Sequence, residues 1–409
     1  MFLPPGDNPW VHRLCDTFFP TWAYVYGRVR NVVLAEEDAD RLRGLRDARA
    51  ILAPNHPTIA DPIVMMWVAH HVGQRFNYLA AREILEGFKG RMLNQLGAYS
   101  VVRGTPDRES LRMTRRLLAE LDRRVVIFPE GEIYEHNDTL LDFQTGVAQI
   151  GFWVLEDLLK VGKEPRLPLV PIAIKYRCAE APRPAIENSL RDLEEALDLP
   201  APGRLTTYLR LLRVGERVLS TLERQEGIRP PEGEALTARI QAVRRRVLER
   251  VAQAIGADAI GRDSPAEQLH LLYNALKAWV GLLPDDYSPY DERLHEQRKA
   301  TAAPLFRDLH RLQNFLVVTG DYVAAQHTAE RFLDVLGRLE QEVLGGVRHP
   351  VLKEAVVRIA PPLRLEDHLP AYRENKRPAV ADITRQLREA IRRMLLEMAA
   401  EATPISQTD

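Results

Sequence analysis

Between Ala50 and Tyr176, short apolar runs rich in branched side chains alternate with longer stretches whose apolar positions recur every three to four residues. The short runs suit strands and the longer ones amphipathic helices, and their alternation predicts an α/β layer fold, a sheet flanked by helices. Strands are expected at Ala50–Ala53, Phe76–Ala80, Tyr99–Val102, Val125–Phe128 and Leu169–Ile174. Helices are expected at Pro62–His70, Arg108–Leu121 and Gly146–Leu159.

After Tyr176 the strand rhythm stops. Long helical periods follow, broken by Pro/Gly clusters at Leu199–Gly203, Ile228–Gly233 and Leu283–Pro289, with no self-similar period. Ser264-Pro265-Ala266-Glu267 places a cap hydroxyl, a first-turn proline and a Glu where a helix should begin. From Lys353 the strand signal returns, with a β-like run at Ala355–Ile359, Pro361-Pro362 and an amphipathic helix from about Asp382 to Ala399. The tail strand needs a sheet to join. The expected organisation is therefore an α/β domain begun by residues 1–180, a large all-helical insertion over 181–350, and a closing strand and C-terminal helix of the same α/β domain over 351–409.

Composition narrows the function classes. The formal charge of -1 argues against a general nucleic-acid binder, which carries a basic excess. Two cysteines, Cys15 and Cys178, far apart in sequence, suggest neither a disulfide framework nor a cysteine zinc site and fit a reducing cytoplasm. There is no secretory signal pattern, and no run approaches the roughly 18 apolar residues that span a bilayer. Near the N-terminus, Trp10, Phe18, Phe19, Trp22, Tyr24 and Tyr26 precede Arg28 and Arg30, a composition suited either to peripheral contact with a membrane or to a helix capping the core. Pro20 complicates a single straight helix there. Residues 204–250 hold eleven Arg against six Glu, a pattern for a solvated helix face, an anionic membrane or an acidic acyl carrier protein.

The candidate chemistry lies just past the first expected strand, in Asn55-His56-Pro57-Thr58-Ile59-Ala60-Asp61, at the strand end where α/β sheets present ligands. The spacing lets a turn bring the Asp61 carboxylate to the His56 ring. The carboxylate would fix the tautomer and leave the other ring nitrogen to take a proton from a hydroxyl, so no nucleophilic Ser or Cys is required. His70 and His71 offer a competing metal-hydrolase set with His56 and Asp61, which lacks a recognisable third-ligand spacing.

The block Asn55-His56 … Asp61 resembles the Asn-His-x-x-x-x-Asp signature of the glycerolipid acyltransferases. Further blocks follow in that family's order: Ala81-Arg82-Glu83-Ile84, Gly97–Gly104, Phe128-Pro129-Glu130-Gly131, Phe143-Gln144-Thr145-Gly146 and Val170-Pro171-Ile172-Ala173-Ile174. The tail Val356–Pro362 is similar to the family's closing strand and turn. The resemblance implies an O-acyltransferase in which His56 is the general base and Asp61 its support. The donor would be acyl-CoA or an acyl-carrier protein, a co-substrate, with no resident cofactor or metal. The acceptor would be a lipid-like alcohol such as lysophosphatidic acid, met at the inner face of a membrane in phospholipid synthesis. The same resemblance assigns substrate binding to Arg82, Arg103, Phe128, Pro129, Glu130 and Gly131, with backbone donors near Glu130-Gly131 holding the oxyanion.

The pattern also departs from the family. Many relatives read Glu-Gly-Thr-Arg where this chain has Glu130-Gly131-Glu132-Ile133, and Lys where it has Gln144. The acceptor is therefore expected to carry less negative charge, unless Arg82, Arg103, Lys175 and Arg177 supply a phosphate site. The departure also motivates an alternative, a catalytically inactive lipid-binding or scaffold protein on the same fold.

Overall fold

The computed structural model describes residues 2–102, 107–131, 133, 137, 139–257, 265–281, 287–315, 322–323 and 326–402. In chain order the elements are α1 (Pro9–Gly27), β1 (Val29–Leu34), α2 (Glu36–Arg43), β2 (Ala50–Pro54), α3 (Asp61–His71), β3 (Asn77–Ala81), a 3-10 turn (Arg82–Leu85), α4 (Gly87–Gln95), β4 (Ala98–Val101), α5 (Arg108–Ala119), β5 (Arg124–Val126), α6 (Gly146–Lys160) and β6 (Pro168–Cys178). The helices α7 (Arg183–Ala196), α8 (Thr207–Gln225), α9 (Leu236–Ile255), α10 (Pro265–Val280), α11 (Pro289–Phe315) and α12 (Ala329–Leu344) follow. The chain then runs through β7 (Lys353–Ile359), β8 (Leu363–Arg364), α13 (Leu369–Glu374) and α14 (Lys376–Ala399).

It divides into two compact units, one made of Met1–Glu180 with Val351–Ala402 and the other of Ala181–Pro350 with Thr403–Asp409, of which 403–409 lie outside the described residues. In the first unit the chain leaves and re-enters at neighbouring points, because the Ala179 amide donates to Leu352 O (2.8 Å) and the Leu352 amide to Glu180 Oε1 (2.9 Å).

The first unit is built on a sheet of order β1-β7-β6-β2-β5-β3-β4, with β8 beside β6. All of its pairings are parallel except those of β6 with β7 and with β8. Every residue of β2 is buried, as expected of a strand covered on both faces. Its side chains alternate: Ile51 and Ala53 join the core under α5, α6, α13 and α14, while Ala50 and Leu52 join the core under α1 to α4.

Two features go beyond the expected elements. β1 has no counterpart among the expected strands, yet it pairs with β7 over Val29–Leu34 and extends the sheet. Helix α1 continues through Pro20, exposed on its outer face. There the lost hydrogen bond falls on the solvent side, where water can serve the freed carbonyl. Asn8 caps α1 by accepting from the Trp10 and Val11 amides, and Cys15, Phe19 and Ala23 turn inward at a spacing of four. The opposite stripe exposes Trp10, Leu14, Phe18 and Val25. Among the described residues no helix is long and apolar enough to cross a membrane.

Within the second unit, four arginines of the arginine-rich stretch are held in ion pairs. Arg210 and Arg213 bind Glu194, Arg239 binds Glu223, and Arg250 joins Glu226 and Asp308. Arg204, Arg217, Arg224, Arg229, Arg245 and Arg246 remain exposed. α10 begins at Pro265, and the expected cap Ser264 lies outside the described residues.

Gly27, the last residue of α1, is required by close approach: a β-carbon there would lie 2.3 Å from Ala60 Cβ, in the turn between His56 and Asp61. Gly27→Ala is expected to cost about 1–3 kcal/mol by overpacking, read as a lowered urea midpoint. Ala60→Gly in the same chain should return most of that loss. A Gly27→Ala protein as stable as wild type would contradict the contact.

Candidate active site

The His56 loop starts where β2 ends, and the side chain of Asn55 anchors it. Its Nδ2 donates to Ile174 O (3.0 Å) and its Oδ1 accepts from Ile174 N (2.7 Å), so the amide extends the β2–β6 ladder for one further step. The next residue therefore leaves the sheet in a fixed direction. His56 Nδ1–H donates to Asp61 Oδ2 (2.7 Å), and the ring stacks on Phe128 with centroids 4.0 Å apart. The His56 side chain is 8% exposed and Asp61 is fully buried.

Asp61 opens α3, where a carboxylate is favoured by the helix dipole. Its two oxygens are fully engaged. Oδ2 also accepts from the Thr58 amide (2.7 Å), and Oδ1 accepts from the Tyr176 hydroxyl (2.5 Å) and the Thr58 hydroxyl (3.2 Å). Burial, and then the Asp61 charge, hold the Tyr176 phenol well above its ordinary pKa, so it stays a donor. Asn137 fixes the backbone of Tyr176 from both sides, accepting from its amide (2.5 Å) and donating to its carbonyl. Tyr176 and Asn137 have no place in the sequence blocks. Tyr176 lies two residues past the Val170–Ile174 block on β6, where the alternation of strand side chains would have put it on the Ile172 and Ile174 face.

Glu130 is buried and does not present its carboxylate as a surface ligand. Oε1 accepts from the His56 amide (2.8 Å) and Oε2 from the Leu141 amide (3.3 Å). Burial pushes its pKa up to about 7, against the pull of those two amides, with Asp61 adding repulsion. Arg388 of α14 braces the same loop, donating to Leu141 O (3.0 Å) and Leu140 O (3.3 Å).

Gly131 sits at φ +74 and closes a tight turn by donating to Phe128 O (3.2 Å). Its amide is therefore already engaged within the turn. Pro129 is buried within this turn and its carbonyl accepts from the Gln144 amide (2.8 Å).

The expected phosphate cations are dispersed. Arg82 lies in the 3-10 turn after β3 and has no carboxylate partner among the described residues. Arg103 and Glu132 lie outside the described residues. Lys175 is buried in the sheet and Arg177 is paired with Glu354 (2.9 Å), so neither is available as the sequence had suggested. His70 and His71 end α3 while Asp61 begins it, about 15 Å away along the helix. The metal set that included them is not assembled. Cys15 is buried in the core under α1, and Cys178 ends β6; neither is in a disulfide.

Against known proteins, residues 34–175 match the family model for acyltransferases. No curated protein matches the chain. This stretch, which carries the His56 loop, β2 to β5, the Glu130 turn and most of β6, is an acyltransferase domain of the glycerolipid acyltransferase family. The domain supports a general acyltransferase function, which implies an acyl donor and an acceptor.

Glu130 generates a stability prediction. Its pKa of about 7 lies above the ordinary 4.5, so between those values the unfolded chain releases a proton that the folded chain keeps. Stability conferred below pH 4.5 is therefore lost as pH rises to about 7, by roughly 3 kcal/mol. Urea titrations of wild type and Glu130→Gln across that range should diverge by this amount, with wild type losing ground as pH rises. Parallel curves would refute the buried, proton-retaining Glu130.

Proposed function

We propose that the protein moves a fatty acyl group from acyl-CoA or an acyl-carrier protein onto the hydroxyl of a glycerolipid-type acceptor such as lysophosphatidic acid, as a step of phospholipid synthesis. The observation that carries this reading is the buried His56–Asp61 pair at the C-terminal end of β2, inside an acyltransferase domain. With Nδ1–H committed to Asp61, Nε2 is the nitrogen free to accept the hydroxyl proton. The alcohol oxygen attacks the thioester carbonyl, the C–S bond breaks, and the imidazolium returns its proton to the leaving thiolate. Each transfer thus yields one ester and one thiol, and His56 ends as it began.

Arg82 and Arg103 are the cations assigned to the acceptor's head. With Lys175 buried and Arg177 paired, and with Gln144 standing where relatives carry Lys, the acceptor this site suits has less charge than the family's phosphomonoester acceptors. The exposed apolar stripe of α1 and the exposed Ile59 and Phe88 support a setting at the cytoplasmic face of a membrane, where a lipid acceptor resides. The low exposure of His56 favours a second reading, a lipid-binding protein without turnover.

Mass-spectrometric detection of acyl transfer, offering both donor types with phosphate and non-phosphate acceptors, separates the two. Wild type should form product and His56→Ala should lose at least about a hundredfold in rate. Lipid binding without product from any pair would leave the binding protein. Tyr176→Phe gives a finer test. Losing one donor to Asp61 should lower kcat by about tenfold with little change in KM. It should also move the acid limb of the pH–rate profile upward, because the carboxylate then holds the imidazolium more strongly. An unmoved profile would separate Tyr176 from the proton transfer.

A further inference from the structure

A second cleft lies at the other end of the sheet. The segments that enter β2, β3 and β5 carry Arg46, Arg75, Arg123 and Arg124, and α1 adds His12 and Arg13. These line a cleft of about 310 Å³, at the N-terminal ends of the parallel strands, whereas His56 follows the C-terminal end of β2. The carboxylates bearing on it are Asp7, Asp16 and Asp47. Five guanidinium groups against three carboxylates leave a surplus of two positive charges, before His12 and His70 are counted.

The arginines are unequally committed. Arg75 pairs with Asp7 (2.8 Å), and Arg123 reaches the same carboxylate (3.6 Å). Arg124 spends Nη1 on Arg46 O (2.5 Å) and Nη2 on Arg75 O (3.2 Å), which ties the strand-entry loops together. Its Nε is buried without a partner among the described residues. The Arg13 guanidinium lies over the Trp10 ring, 5.7 Å from its centroid, and neither Arg13 nor Arg46 has a carboxylate partner among the described residues. Guanidinium groups converging on one cleft, two of them uncommitted and a third with an unused N–H, make an anion receptor whose fork geometry suits phosphate oxygens.

We propose that this cleft binds a phosphate-bearing anion, at a site separate from the His56 centre. One side of the cleft is α1, whose exposed stripe starts at Trp10, 76% accessible, and continues through Leu14 and Phe18. A phosphate carried on a lipid headgroup would thus meet guanidinium in the cleft and apolar surface beside it. A soluble phosphate ester offers the cleft the same oxygens without the chain. Either occupant would bring negative charge to His12, whose pKa is now depressed by burial and by Arg75, with Asp7 and Asp16 opposing.

The full chain tests this with two probes. Calorimetry with glycerol 3-phosphate reads the soluble source. Sedimentation with phosphatidylcholine vesicles, with and without phosphatidic acid, reads the lipid source. In each arm wild type is compared with Arg13→Ala/Arg46→Ala and with Arg245→Ala/Arg246→Ala, which removes the same charge from exposed positions of the other unit. The first variant should weaken binding by about tenfold or more, and the second should leave it unchanged. The His12 ring resonance should move on ligand addition in wild type and stay still in the first variant. Binding in the vesicle arm alone identifies a lipid headgroup, and binding in both arms a phosphate group as such. No binding in either arm, or equal weakening by both variants, overturns the proposal.

Discussion

A carboxylate that is fully buried must find its partners inside the protein or give up its charge, and Asp61 finds four of them. His56, the Thr58 amide, the Thr58 hydroxyl and Tyr176 converge on its two oxygens. The requirement spreads outward. Thr58 can reach it only if the chain turns between His56 and Asp61. Tyr176 can reach it only if β6 runs beside β2 in the observed register, and Asn55 and Asn137 hold that register at the two places where the ladder is ending. The first turn of α3 then adds its dipole to the same oxygens. The position of one imidazole is thus set by two strands, a helix and two asparagines.

Two carboxylates close together in one centre are made unlike by their surroundings. Asp61 is surrounded by side-chain and amide donors, whereas Glu130 has two backbone amides, more burial than they offset, and the charge of Asp61 against it. Glu130 therefore serves as a brace. It ties the amide of His56 to the loop at Leu141, and that loop is held in turn by Arg388 from the last helix. The tail of the chain, remote in sequence, is in this way part of what positions the His56 loop.

Much of this fold was legible in the pattern of apolar runs, because a sheet covered on both faces writes itself as short unbroken stretches such as Ala50–Ala53 and Leu169–Ile174. β1 was not legible. Its six residues follow an aromatic helix and owe their strand conformation to a partner that comes more than three hundred positions later. Pro20 left the course of α1 open for a related reason, since a rule about backbone donors does not know which side of a helix faces water. At the site, motif spacing pointed to His56 and Asp61 because both lie on one turn. Tyr176 escaped, since a tyrosine near the end of a buried strand reads as core until the strand beside it is known. The amide of Gly131 and the ammonium of Lys175 looked available for the same reason: whether a polar group is already satisfied is decided by neighbours that sequence order does not reveal.

The place of β7 between β1 and β6 has a consequence for how the molecule is made. On a growing chain, β1 emerges early and has no other strand beside it, and the β6 edge that β7 will cover is likewise left open. The whole helical unit must be synthesised before the strand that closes both edges appears. During that interval the nascent sheet presents two unpaired rows of backbone amides and carbonyls, the surface on which chains join one another wrongly. A ribosome that stalls before Lys353 would therefore release a product whose sheet lacks the strand joining β1 to β6, and a natural client for chaperones or proteases.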